Sequence, residues 1–157
     1  MTTSDSTNHI WLSPCSSTKV GRMLHIGALV PFDDPEYGRF ASMYAFWYWY
    51  AVSTEDHLRS LHADDLVKSP IQGMPISDSI ALTLHTVNQR RFFNNSQLLE
   101  QLLVSDLPFQ AYDLIYSNLY RDWMVLQINE LDWYVRSLEK IRQQARSHTS
   151  YQELSYG

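Results

Sequence analysis

The acids best placed to do chemistry are Asp33, Asp34 and Glu36, grouped in one short stretch, and Asp113 far downstream. A carboxylate can take or hold a proton, or steady a developing positive charge. In Phe32-Asp33-Asp34-Pro35-Glu36-Tyr37-Gly38 the competing reading is a solvated turn, because Asp-Pro turns form for local reasons. Asp113 stands between Tyr112 and the pair Leu114-Ile115, where a buried acid is costly without a task or a partner. Lys68 either neutralises a phosphate or is an exposed lysine ahead of Ser-Pro. Trp47 and Tyr48 offer flat rings for a nucleobase, against the plainer role of core packing. His57 and His62 are five apart, which does not bring them to one helix face, and no cysteine or third histidine lies near, so no metal site is expected. The sequence has no Gly-rich phosphate loop and justifies no Ser-His-Asp pattern.

The element that must organise these residues is the aromatic stretch Tyr44-Ala-Phe-Trp-Tyr-Trp-Tyr50, six aromatics in seven positions. At 3.6 residues per turn Phe40, Tyr44, Trp47 and Ala51 share a face while Phe46, Trp49 and Tyr50 cover the others, which predicts a central helix, apolar all round. The apolar run to Val52 is too short for the roughly 20 residues a bilayer needs. Upstream, His9-Ile-Trp-Leu and Met23-Leu-His-Ile read as small strands among Ser, Pro and Gly breakers. Downstream, Ser53-Thr-Glu-Asp56 has the form of a capping box and predicts a helix carrying Leu58, Leu61 and Leu66. After the loop Lys68–Pro75, a helix is expected from Ser77 to Asn94-Asn95, and a shorter one, for which Asn94, Asn95 and Ser96 are all good caps, holds Leu98, Leu99, Leu102 and Leu103. Asp106-Leu-Pro108 stops it, and Phe109–Tyr116 favours a strand. Met124, Ile128, Leu131, Val135, Leu138 and Ile141 form one stripe, which predicts a long closing helix with Asp132 paired to Arg136.

The expected class is therefore α+β, predominantly α: a mobile polar lead-in over 1–8, a single domain over 9–142 and a polar tail over 143–157 with little to fix it. The 157 residues suffice for a core without disulfide or metal, and the one cysteine, Cys15, fits a reducing, cytoplasmic compartment. The first residues lack the basic and apolar regions of a secretory signal. Net charge is −5 and Arg90-Arg91 is the only adjacent basic pair, which argues against stable binding of duplex nucleic acid.

Three segments resemble the NADAR superfamily, particularly its compact phage-type members. Gly38-Arg-Phe-Ala-Ser-Met-Tyr-Ala-Phe-Trp47 is similar to the family signature G-x-x-x-S-M-E-G-F-W. Leu58-Arg-Ser-Leu-His-Ala-Asp-Asp-Leu-Val-Lys68 is similar to its L-x-x-L-x-G helix leading to an alanine-lysine pair. Asn95-Ser-Gln-Leu-Leu-Glu-Gln-Leu-Leu103 is similar to its N-P-x-h-x-x-x-L-L helix. The match covers about residues 25–142. The resemblance implies a small N-glycosidase fold without a cofactor that recognises ADP-ribose or an ADP-ribosylated base, in a host cytoplasm or virion. It maps substrate contacts onto Tyr44, Trp47, Lys68 and Asn95. The chain departs from the pattern where chemistry is carried: the family's glutamate is Tyr44, the next glycine is Ala45, and the lysine comes one position late. A phenol with an ordinary pKa of about 10 cannot act as that carboxylate. Asp113, or Glu36 from the acidic loop, is the substitute an active enzyme would use. The alternative is a lapsed fold retained as an interaction or structural protein, including one of a phage particle.

Overall fold

The computed structural model describes residues 5–156. Its elements are β1 (Ile10–Trp11), α1 (Lys19–Leu24), β2 (Phe32–Asp34), β3 (Gly38–Phe40), α2 (Met43–Ala51), two 3₁₀ turns (Asp56–Ser60 and Ala63–Asp65), α3 (Asp78–Phe93), α4 (Ser96–Leu103), β4 (Phe109–Gln110), β5 (Tyr112–Ser117), β6 (Asp122–Gln127), a third 3₁₀ turn (Asn129–Leu131) and α5 (Asp132–Tyr156). The class is α+β, and the described strands form three separate two-stranded ribbons: β1 parallel to β4, and the antiparallel pairs β2–β3 and β5–β6. No helix among the described residues is long and apolar enough to cross a membrane.

The aromatic helix is central. Ser42 caps α2 by accepting from the Ala45 N–H at 3.0 Å while its hydroxyl donates to the Leu61 carbonyl at 2.7 Å. Met43 to Trp47 are fully buried. Phe40, Phe46 and Trp49 meet largely edge to face, and the Arg59 guanidinium lies 4.5 and 4.4 Å from the ring centres of Phe40 and Trp49. Ser77 and Asn95 cap α3 and α4 as their positions predict. At the amino end Gly21 fits α1 so closely against the chain that a Cβ there would fall 2.1 Å from the Trp11 carbonyl oxygen.

Five expectations are corrected. Met23-Leu-His-Ile is no strand, because Thr18 caps a helical turn that runs to Leu24. The helix expected after Ser53 gives way to 3₁₀ turns, since Arg59 and Leu61 spend their carbonyls on Ala41 N–H and Ser42 rather than on an i+4 amide, and Ala63 N–H bonds Gly27. Met124 sits in β6, paired with Ile115, so the closing helix starts eight residues later; no ion pair joins Asp132 to Arg136. The lead-in is tied at Asp5, which accepts from Trp11, Ser16 and Ser17 at 2.8–2.9 Å; residues 1–4 lie outside the described residues. Finally α5 continues to Tyr156 through most of the predicted tail, with Arg142 and Arg146 clamping the carbonyls of Ser105 and Leu107.

Candidate functional site

Tyr44 and Trp47 lie on one face of α2, but their polar ends are already engaged. The Tyr44 hydroxyl donates to the Ser69 carbonyl, Tyr48 donates to Pro70 at 2.6 Å, and Trp47 Nε1 donates to Pro75 at 3.0 Å. Burial, then the neighbouring Tyr48, pushes the Tyr44 phenol above its ordinary range, so it is a neutral hydrogen-bond donor. These groups staple the 69–75 loop to the helix. Lys68 is exposed at the edge of that loop.

The acids are engaged elsewhere or stand in water. Asp34, with its side chain 1% exposed, takes Arg90 in a forked pair at 2.9 and 3.1 Å and accepts the N–H groups of Glu36 and Tyr37, so it holds the β2–β3 turn. Glu36 reaches the same Arg90 at 3.3 Å, and Asp33 pairs with Arg39 at 3.0 Å in the open. Asp113 is exposed on β5 opposite Leu126, so the burial expected for it is absent. Asn95 uses its side-chain oxygen to cap α4 at Leu98 N–H, 3.1 Å away. No hydrogen bond or ion pair connects any two of Asp113, Glu36, Tyr44, Trp47, Lys68 and Asn95. Asn95→Ala should therefore cost about 1 kcal/mol of stability, the ordinary value of a lost cap, read as a lower urea midpoint.

What the fold does bring together is a polar chain between α3 and α5. His85 Nδ1 meets Ser137 Oγ at 2.7 Å, and Asn88 Nδ2 donates to the same Oγ at 2.9 Å. Asn88 Oδ1 accepts from Arg91 Nε and Nη2 at 3.1 and 3.0 Å. Arg91 Nη2 also donates to Tyr134, whose hydroxyl passes to the Leu24 carbonyl at 2.6 Å. Burial, then the charge of Lys140, pushes His85 below its usual range, so the imidazole is neutral at pH 7. Ser137 Oγ accepts from Asn88 and keeps one lone pair and its proton, so the His85 tautomer sets which of the two donates between them. That is half of a nucleophile–base pair, yet among the described residues no carboxylate bonds the imidazole and Ser137 is 3% exposed, which makes the chain a tie between helices.

No family model, curated protein or solved structure matches this chain.

Open space lies beside the polar chain at His85 and at Arg91. A groove of about 300 Å³ between α3 and α5 is lined by Asp78, Leu82, His85, Trp133 and Lys140 among others. A hollow of about 250 Å³ is bounded by Pro31, Phe32, Asp33, Arg91, Asn94 and Asn95. The described residues contain no cluster of three His, Cys, Asp or Glu able to hold a metal. Reading the sequence missed Arg91, Asn88 and Ser137. A signal existed, since Leu84, Asn88 and Arg91 fall on one face of α3, placing the second arginine of the basic pair inward.

Proposed function

We propose that this chain acts by binding another protein chain, a second copy of itself, through the β5–β6 hairpin. On the NADAR resemblance it is a lapsed member kept as an interaction or structural protein, a role that suits a component of a phage particle. The observation that carries this reading is the hairpin surface. Ile115, Tyr116, Leu119, Tyr120, Trp123, Met124, Val125 and Leu126 are each between 47% and 82% exposed.

Those side chains occupy both faces of the ribbon, because the pairs Tyr116–Trp123 and Leu114–Val125 point one way and Ile115–Met124 and Asp113–Leu126 the other. A two-stranded hairpin with neither face covered is marginal by itself in water. The β6 edge also lacks the charges that usually guard one: Trp123 to Gln127 is five residues without a charge, and no described strand other than β5 lies beside β6. A second copy suits this edge because two Trp123–Gln127 segments meet without like charges facing each other, although each whole chain carries −5. The exposed apolar side chains amount to on the order of 1,000 Å² per copy over the two faces and the turn together, so reaching the about 800 Å² each partner buries in a standard interface requires a partner that covers both faces.

The hydrolase reading asks for an acid among the rings of α2. Weighing for binding instead, the Tyr44 and Tyr48 hydroxyls and the Trp47 indole are engaged by the 69–75 loop, and Glu36 is occupied by Arg90.

Sedimentation velocity at about 100 μM, a concentration at which an interface of only micromolar strength is filled, tests the proposal. The wild type should sediment as a dimer or larger, and a Trp123→Asp, Val125→Asp double variant as a folded monomer. A monomeric wild type, or an oligomer indifferent to the double change, would sink it.

A further inference from the structure

We propose that the hollow between β2, the end of α3 and the start of α4 binds a small phosphate-type anion, with Arg91 supplying the positive charge. This stands apart from the hairpin and does not depend on it.

Arg90 and Arg91 are adjacent but treated in opposite ways. Arg90 is met by two carboxylates, Asp34 and Glu36. Arg91 is 4% exposed and has none within ion-pair distance among the described residues. Its Nε and Nη2 go to neutral acceptors, Asn88 Oδ1 and the Tyr134 hydroxyl, and its flat faces lie near Phe92 and Phe32, 4.8 and 5.8 Å from the ring centres. Nη1 has no hydrogen-bond partner among the described residues, and Arg91 lines the hollow. A guanidinium taken out of water without a counter-charge is expensive to hold, and an anion arriving at Nη1 offsets that cost.

The rest of the lining suits such a guest. Asn94, exposed at the rim, has a side-chain amide with no bond among the described residues. Asn95 is the N-cap of the eight-residue α4, whose first turn adds the positive end of a helix dipole. The one acid in the lining, Asp33, is turned to solvent and paired with Arg39, which reduces its repulsion. Arg91's charge is felt nearby: after burial itself, it is the second cause that pushes the His25 imidazole down to about 4.

The test is isothermal titration with inorganic phosphate at fixed ionic strength, with chloride as the control salt, at pH 7.5. Saturable heat with phosphate and none with chloride is expected. Arg91→Gln should abolish it, but that variant also breaks the bonds to Asn88 and Tyr134. Asn94→Asp keeps the fold-bearing contacts and places a like charge at the rim. It should weaken phosphate about tenfold or more, the factor that corresponds to 1.4 kcal/mol of repulsion. Tighter binding of AMP than of phosphate, with the same sensitivity to Asn94→Asp, assigns a phosphomonoester; equal binding assigns free phosphate, and both support the site. Phosphate heat no different from chloride, or affinity unmoved by Asn94→Asp, overturns the proposal.

Discussion

Trp47→Ala will lower the stability of the chain by about 3–5 kcal/mol, the range for truncating a fully buried large aromatic. For a chain of this length that corresponds to a fall in Tm of roughly 6–20 °C. Trp47 is 0% exposed, sits edge-on to Trp133 with ring centres 5.3 Å apart, and donates its indole N–H to the Pro75 carbonyl. The substitution thus opens a cavity at the centre of the molecule, strips one contact from α5 and leaves a carbonyl of the 69–75 loop without its donor. A ring serving as an open platform for a nucleobase would behave differently: its removal would weaken ligand binding and leave the unfolding midpoint near that of the wild type. Urea titration of the two proteins separates these roles, and a midpoint shift worth less than about 1 kcal/mol would contradict the core assignment.

That contrast shows what the residue pattern could and could not convey. The helix start at Ser77 and the cap at Asn95 were legible because a cap is a local transaction between a side chain and an amide three residues on. The segment 56–66 was not, because what decides it is remote: Ala41 takes the Arg59 carbonyl, Ser42 takes that of Leu61, and Gly27 takes the Ala63 amide. Met124 fitted a helical stripe with Leu131 and Leu138, yet Trp123-Met-Val-Leu also suits a strand, and pairing with β5 wins. At the candidate sites the limits have the same origin. Asp34 and Glu36 read as interchangeable acids in one turn, and only the approach of Arg90, 54 to 56 positions away, makes one a buried anchor and the other a half-free partner. Ser137 and Asn88 are 49 positions apart, so no spacing rule joins them. The hairpin's exposure was equally hidden, because a run of apolar residues carries no mark of whether anything covers it.

Stability will fall as pH drops from 7.5 to 5.0, with His25 contributing about 2 kcal/mol of the loss. His25 is 7% exposed and its Nδ1 accepts the Gly27 N–H at 3.2 Å, a bond that requires the unprotonated nitrogen. Burial first, and the charge of Arg91 second, push its pKa down to about 4 from the ordinary 6.5. Because the folded value is the lower one, the unfolded chain binds the proton more readily between about 4 and 6.5. The stabilisation is therefore complete above that window and is lost as pH falls through it. His85 is shifted in the same direction and adds to the slope. Asp5 does not act in this window: although burial opposes it, hydrogen bonds from Trp11, Ser17 and Ser16 hold its carboxyl below the usual 3.8, so its contribution is lost only under more acid conditions. His25→Asn keeps an acceptor for Gly27 and removes the titrating ring. Urea midpoints at pH 7.5 and 5.0 should converge in that variant by most of the 2 kcal/mol, whereas equal losses in both proteins would remove His25 from the account. The same pair of measurements bears on Arg91. An anion seated at its guanidinium cancels the second of the two causes acting on His25, so saturating phosphate should shrink the difference in slope between wild type and His25→Asn, in which the titration of phosphate itself cancels, while chloride at equal ionic strength should not.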